Sequence, residues 1–311
     1  MTGPSAAVAA VRVAVRRTLP ASGPVLVACS GGADSLALAA ALAFEGPRAG
    51  LRTGLVTVDH QLQEGSAERA SLLAAWAENH FDFVRVETVT VNPGAGPEAA
   101  ARTARYEALE RVAAETGASA VLLGHTQDDQ AETVLLALAR GSGPRGISGM
   151  PASRGVYTRP LLDLPRATVR QACADEGLDS WEDPHNTDDR YARARVRELI
   201  GTLGAKVVAN LARTAALVAA DCAELDRQAA EAYRPAETLD TARLAALAAP
   251  IRTRVIRTWA LASGALPADL THQHILAVDA LVTNWRGQGP IPLPGNVSVT
   301  RRNGRLVASD T

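Results

Sequence analysis

Residues 30–35 read SGGADS, and their types suit the binding of a polyphosphate. Two adjacent glycines reach backbone dihedrals closed to other residues and let main-chain amides approach a ligand closely. A helix starting just after them adds free N–H groups and the positive end of its dipole, which makes an anion cradle. Ser30 and Ser35 add hydroxyl donors. The stretch lacks the Gly-Lys-Ser/Thr ending of a Walker loop and the Gly-x-Gly-x-x-Gly dinucleotide fingerprint. Asp34 fits an anion site only if a cation shares it, so Mg2+ with a polyphosphate is the natural inference and Asp34 the candidate metal ligand. The plainer alternative, a glycine turn capping a helix, would not need both serines. A second stretch, His125 to Thr133, reads HTQDDQAET. Asp128, Asp129 and Glu132 stand at i, i+1 and i+4, so Asp128 and Glu132 share a helix face. Asp is also common as a helix cap, and His125 alone reads equally well as a structural histidine.

The elements around these stretches must hold them together. Val25 to Cys29 (VLVAC) predicts a buried parallel strand, and ALALAAALAF after SGGADS a helix. Thr53 to Asp59, Phe83 to Val91 and Val121 to Gly124 predict three more strands. Helices are expected over Ser66 to His80, with Leu72, Leu73 and Trp76 spaced for one face, over Glu98 to Glu115, and over Asp128 to Arg140. Such alternation means right-handed βαβ units and a parallel sheet covered on both faces. Ligands then bind at the carboxyl ends of the strands, where three polar clusters fall: Ser30 to Ser35, Asp59 with His60, and His125 with Asp128 and Asp129. Gly141 to Leu164 reads as loop, and Pro165 begins a short helix over Arg166 to Glu176. A long Ala-rich helix is expected over Ala205 to Tyr233, with the domain boundary near Ala216, giving domains 1–215 and 216–311. The second holds two or three helices and closes with two strands joined by an Asn303-Gly304 turn.

The chain has 311 residues, which at about 150 per domain also suggests two domains. With 47% hydrophobic and 21% charged residues it is globular rather than disordered. No uncharged run is long enough to span a membrane, and the N-terminal arginines follow the apolar part, the wrong order for a secretory signal. Cys29, Cys173 and Cys222 form no CxxC or zinc spacing and read as reduced cytosolic thiols, so a cytoplasmic location is expected. Every cation except Lys206 is Arg, yet the net charge is −1, so any RNA contact must come from local patches.

SGGADS after a first strand resembles the PP-loop of the N-type ATP pyrophosphatases, a motif that several families share. HTQDDQAET narrows the resemblance to the HxxDDxxET motif of the tRNA(Ile)-lysidine synthase family. VDHQLQEGS at Val58 to Ser66, EAAARTARYEAL at Glu98 to Leu109, TRPLLDLPR at Thr158 to Arg166 and WEDPHNTDDRYARARVR at Trp181 to Arg197 are similar to further pieces of that family. The resemblance spans about residues 20–215. It departs from the family where Ala194 replaces the usual Asn, and the C-terminal portion is shorter than in the longer members.

The resemblance implies an α/β fold: a parallel-sheet PP-loop ATPase domain, Rossmann-like and of the adenine nucleotide alpha hydrolase type, with a smaller, mainly helical C-terminal domain that binds tRNA. It implies ATP and Mg2+ as cofactors, with L-lysine and a CAU-anticodon tRNA(Ile) as partners. ATP would adenylate the 2-oxo group of the wobble cytidine, and the lysine ε-amine would then displace AMP. The amine must be neutral to attack, so a nearby carboxylate must hold its charged form and accept a proton. The implied ATP-binding residues are Ser30, Gly31, Gly32, Ala33, Asp34, Ser35, Asp59, His60, Gly124 and His125. Asp128, Asp129 and Glu132 would bind lysine; Asp34, Arg105, Asp129 and Glu132 would be catalytic. Glu98 and Arg102 form an i, i+4 pair that could be plain surface support. Arg193, Arg195, Arg197, Arg254 and Arg257 are the candidate tRNA contacts, the last two near Trp259 on an RNA-backbone face, with a solvated basic edge as the alternative for each. The Ala-rich helix could pack against a copy of itself in a homodimer. Among rivals, a tRNA thiolase lacks its paired cysteines here, GMP and NAD synthetases lack their additional domains or motifs, and a non-catalytic tRNA binder would not need intact Asp34, Asp128, Asp129 and Glu132.

Overall fold

The computed structural model describes residues 3–61, 65–90, 97–181 and 192–310. Helix α1 (Ala6–Arg16) precedes an alternation of β1 (Val25–Ala28), α2 (Ala33–Arg48), β2 (Thr53–Asp59), α3 (Ser66–Glu78), β3 (Phe83–Thr88), α4 (Pro97–Thr116), β4 (Ala120–Leu123) and α5 (Gln127–Ala139). Next come α6 (Pro144–Ile147), β5 (Ser153–Arg154), β6 (Tyr157–Thr158), α7 (Arg166–Asp175), α8 (Ala192–Leu203) and the long α9 (Ala205–Ala232). The first sheet has the order β3-β2-β1-β4-β6-β5. It is parallel except for the β5–β6 pair. β1 lies at its centre, with Val25 opposite both Thr53 and Ala120, and Val25, Leu26 and Val27 are buried because helices cover both faces. Successive strands β1, β2 and β3 step one way from the centre and β4 stands on the other side, so the topological switch point lies between β1 and β4, where such sheets hold ligands.

Three local expectations differ from the structure. β3 ends at Thr88, short of Val91. Leu72 is 66% exposed while Leu73 is buried, because neighbours on a helix point about 100° apart and only one can face the sheet. The expected loop over Gly141 to Leu164 contains α6, β5 and β6; β6 extends the parallel sheet through Val121–Tyr157 pairing. Two residues are too few to show a periodicity, and Tyr157 is fixed instead by its hydroxyl, which donates to the Tyr106 carbonyl at 3.2 Å.

The described chain divides into two units, Met1–Ala219 and Ala220–Thr311. The second contains β7 (Thr238–Asp240), α10 (Thr241–Ala245), α11 (Ala249–Ala262), α12 (His272–Thr283), β8 (Ile291–Leu293), β9 (Val297–Arg302) and β10 (Arg305–Asp310). The expected β9–β10 hairpin is the middle of a four-stranded antiparallel sheet, β7-β10-β9-β8. Asn303 (φ 48°) and Gly304 (φ 72°) make its turn, both left-handed as a two-residue hairpin requires. The core between sheet and helices is built on Trp259, Ile256, Val278, Leu281, Val299 and Leu306. Arg252 pairs inside it with Asp279 at 2.6 Å and donates to the Leu247 carbonyl at 2.8 Å. Among the described residues no single helix is long and apolar enough to cross a membrane. All three cysteines are buried, and burial pushes the Cys29 thiol up to about 11.

Candidate active site

The loop between β1 and α2 is built to leave its amides open. Gly31 takes φ +83°, which an L side chain rarely adopts, and Gly32 returns to extended backbone as the N-cap of α2. Ser35 Oγ donates to the Gly32 carbonyl at 2.8 Å and accepts from the Ser30 amide at 3.2 Å, which closes the loop on itself. The Trp181 amide donates to the Gly31 carbonyl at 3.0 Å. Gly124, just beyond β4, explains how two strand ends share one site: a Cβ there would stand 3.2 Å from Ser35 Cα and 3.3 Å from the Asp34 carbonyl oxygen. Ala33 is the first residue of α2 and Asp34 the second.

Four carboxylates converge beside this loop, and one guanidinium organises them. Arg166, at the start of α7, pairs with Asp129 at 2.6 Å, Glu132 at 3.0 Å and Asp34 at 3.6 Å. Its own amide donates to Asp128 Oδ2 at 2.8 Å. The second oxygen of Asp129 accepts from the Thr126 amide and hydroxyl at 2.7 and 2.8 Å, which fixes the carboxylate at the start of α5. Glu132 also accepts from Arg197 of α8, at 3.0 Å. Burial opposes the ionisation of Asp129, but Arg166 and the Thr126 donors hold it below the usual carboxylate range. Burial likewise opposes the charge on Arg166, and Asp129, Glu132 and Asp34 outweigh it.

Asp34 is the exception within this group. Burial, with Asp129 and Asp128 nearby, pushes its carboxyl up to about 6 against the pull of Arg166 and Arg170. Its Oδ1 is buried with no hydrogen-bond partner. An orphaned carboxylate oxygen beside an anion cradle is the donor that Mg2+ would satisfy, so the residues fit the ion.

On the other side of the β4 end the site is cationic. His125 is pushed down to about 4 by burial, and Arg159, Arg105 and Arg102 add to the shift while Asp129 opposes it. His60 is lowered by burial and by Arg105, with Asp59 opposing. His125 Nδ1, His60 Nδ1 and Arg159 Nε are buried without partners. Asp59 accepts from the Gln61 amide at 2.9 Å. Arg102 donates to the Tyr106 hydroxyl at 3.2 Å; Arg102 and Arg105 both lie over the Tyr106 ring. Neutral imidazoles facing guanidiniums leave room for anionic or carbonyl-bearing groups rather than for a second cation.

The loop, the His60 and His125 strand ends and the Asp128–Glu132 helix start therefore come together, as the spacing implied. Sequence reasoning missed Arg166. Arg166 ends TRPLLDLPR and directly follows the helix-starting Pro165, a position at which Arg reads as ordinary surface. Of the expected tRNA contacts, Arg197 is paired with Glu132, Arg195 is exposed, and the side chain of Arg193, like that of Glu98, lies outside the described residues. In the second unit Arg254 is 14% exposed, pairs with Asp226 at 2.7 Å and donates to the Pro250 carbonyl at 2.9 Å. Arg257 donates to the Leu270 carbonyl at 2.8 Å, and Trp259 is fully buried. Trp259 is thus a core residue and not part of an RNA-backbone face, while Arg254 and Arg257, both half-buried, hold partners within their own unit.

A family model described as a PP-loop domain matches residues 11–203, and one described as the TilS substrate binding domain matches residues 239–307. The chain is 57% identical to a tRNA(Ile)-lysidine synthase of Salinispora tropica over 97% of this chain and 96% of that one. It is 53% identical to that of Thermobifida fusca, covering 99% of each. For the Streptomyces coelicolor protein of the same name the identity is 50%, over 98% and 99%. Among solved structures, a U34-tRNA thiolase from Methanococcus maripaludis superposes with a TM-score of 0.57 over 70% of this chain and 80% of that one, at 17% identity, a likeness of fold.

Proposed function

Because the chain belongs to the tRNA(Ile)-lysidine synthases, ATP-using PP-loop ligases that modify tRNA, we propose how its own residues divide that reaction. The reaction ligates L-lysine to carbon 2 of the wobble cytidine of a CAU-anticodon tRNA(Ile) through an adenylated cytidine, with release of AMP and pyrophosphate. The amides of Gly31, Gly32 and Ala33, with the Ser30 and Ser35 hydroxyls, hold the leaving phosphates at the start of α2. Asp34 supplies a ligand for Mg2+, which when bound neutralises phosphate charge. Asp59, His60, Gly124 and His125 line the nucleotide at the ends of β2 and β4. Arg105 faces the reacting cytidine, offering positive charge to the oxygen as it becomes a phosphate ester.

Asp129 and Glu132 receive the lysine ammonium, with Asp128 alongside, and one of them takes its proton before the free amine attacks carbon 2. Arg166 and Arg197 fix the two carboxylates in place for these roles. The observation that carries this reading is the span of Arg166. One guanidinium reaches Asp34 of the phosphate loop and both ammonium-binding carboxylates, so the two substrates meet within a single side chain's reach. The test is mass spectrometry of an unmodified tRNA(Ile) transcript incubated with the protein, ATP, Mg2+ and lysine. A nucleoside carrying lysine in place of the 2-oxo group, formed only when all components are present, is the expected result. Pyrophosphate release that needs no lysine or tRNA, with no modified nucleoside, would overturn it.

A further inference from the structure

The second unit has no RNA-facing aromatic on α11, but it displays one elsewhere. Trp285 stands just beyond α12 and is 39% exposed. The Arg301 guanidinium of β9 lies 5.6 Å from the centre of its ring. Arg301 also donates to the Leu281 carbonyl at 2.9 Å, so a cation closes the C-terminal end of α12 and backs the indole at once.

The turn that presents Trp285 is tied down rather than loose. Gln288 donates to the Asn284 carbonyl at 3.0 Å and accepts from the Arg286 amide at 2.6 Å. Arg286 is exposed, and its Nε donates to Asn284 Oδ1 at 3.0 Å. An exposed indole on a fixed turn loses little conformational freedom on binding. The segment itself carries charge of one sign: from Leu281 to Ser309 there are four arginines and no acidic residue, of which Arg305 pairs with Asp240 of β7, although the whole chain carries a net charge of −1.

We propose that Trp285, backed by Arg301, is a stacking platform for an unpaired nucleobase of the tRNA, with Arg286 beside it for a flanking phosphate. An indole offers a sequence-tolerant face to any base, and a one-sign arginine segment suits a polyanion rather than a protein surface of mixed charge. The assignment rests on the lysidine reading above and gives the second unit's share of substrate binding a location.

The experiment uses the full chain and an unmodified tRNA(Ile) transcript. Trp285→Ala should weaken tRNA binding by roughly 5- to 150-fold, the range for losing one base–aromatic stack, while Trp285→Phe keeps most of it. Arg286→Ala should lower the salt dependence of binding by a slope of about 0.7–0.9. ATP binding and the melting midpoint should stay unchanged in all three. Trp285→Ala with wild-type tRNA affinity overturns the proposal. So does an unchanged affinity with a shift in sedimentation, which would make the patch a contact between copies of the chain. Lysidine formation by the wild type, measured on the same transcript, keeps the two readings apart: its failure would indict the function, and its success beside an indifferent Trp285→Ala would indict only this platform.

Discussion

Asp34 pulls stability and function in opposite directions. Its buried, partly unpartnered carboxylate costs the fold, and the same property makes it a cation ligand. Asp34→Asn keeps the shape and removes the charge. It should raise the ligand-free melting midpoint at neutral pH by a few degrees, about 1–2 kcal/mol, and abolish pyrophosphate release. Calorimetry with and without Mg2+ checks this: the ion should raise the midpoint of the wild type and leave that of the variant where it is. Glu132→Gln should act on the other substrate. Losing a charge-assisted contact of about 1.5–3 kcal/mol raises the lysine requirement roughly 10- to 150-fold, with ATP dependence little changed in steady-state kinetics. His125 sets an acid limit. Its imidazole titrates near 4 in the fold and near 6.5 in a free chain, so between these values the unfolded chain binds more protons. The His125 share of stability is therefore full above about pH 6.5 and is lost toward pH 4, by about 3 kcal/mol, while the raised Asp34 carboxyl works the opposite way between about 6 and 4. In urea titrations across the window, His125→Asn should lose less stability on acidification than the wild type. The residue types at 30–35 and 125–132 were readable because each stretch is local. Arg166 was not, since its meaning lies in three carboxylates at least 34 positions away.

At the scale of elements the site depends on how closely β4 approaches α2. Gly124→Ala would press a methyl group against Ser35 Cα and the Asp34 carbonyl, backbone atoms that cannot rotate away. The strand end and the helix start must then part by a few tenths of an ångström. Since misplacements near 1 Å cost about 100-fold in rate, ATP-dependent pyrophosphate release should slow roughly tenfold. Steady-state kinetics measure it, and an unaltered rate would mean the loop is less constrained than Gly124 implies. The parallel strands and the helices between them were legible because apolar runs of this kind carry their own boundaries, Gly117 and Gly141 among them. β6 escaped because two residues have no period, and β7 and β8 because their three residues acquire strand character only beside β10 and β9. Helix α11 shows the converse limit. IRTRVIRTW looks basic from its letters, yet the face that carries Arg252, Val255, Ile256 and Trp259 is packed inward.

For the molecule as a whole, charge placement says more than charge total. A chain of net −1 gathers carboxylates around Arg166 in one unit and an acid-free arginine segment in the other. The Arg252–Asp279 pair carries much of the second unit's integrity, because removing one partner leaves the other ion buried alone. Arg252→Ala should destabilise that unit by about 3–5 kcal/mol. Hydrogen exchange should then show protection lost across residues 239–307 while the strands around residues 25–28 and 120–123 stay protected and ATP still binds. Uniform loss over the entire chain would show that the two units melt as one.

The burial of all three cysteines has a practical side. Cys29, Cys173 and Cys222 are each less than a tenth exposed, and burial raises the thiols of Cys29 and Cys173, which keeps them from forming the thiolate that reagents attack. The wild-type protein is thus a quiet background for labelling chemistry. A single cysteine introduced on the surface would be the only fast-reacting position, so a photo-crosslinker or fluorophore could be set at any chosen point on the arginine-rich hairpin without first stripping out the native thiols. The RNA nucleotide lying beside that point could then be read directly from the site of the crosslink.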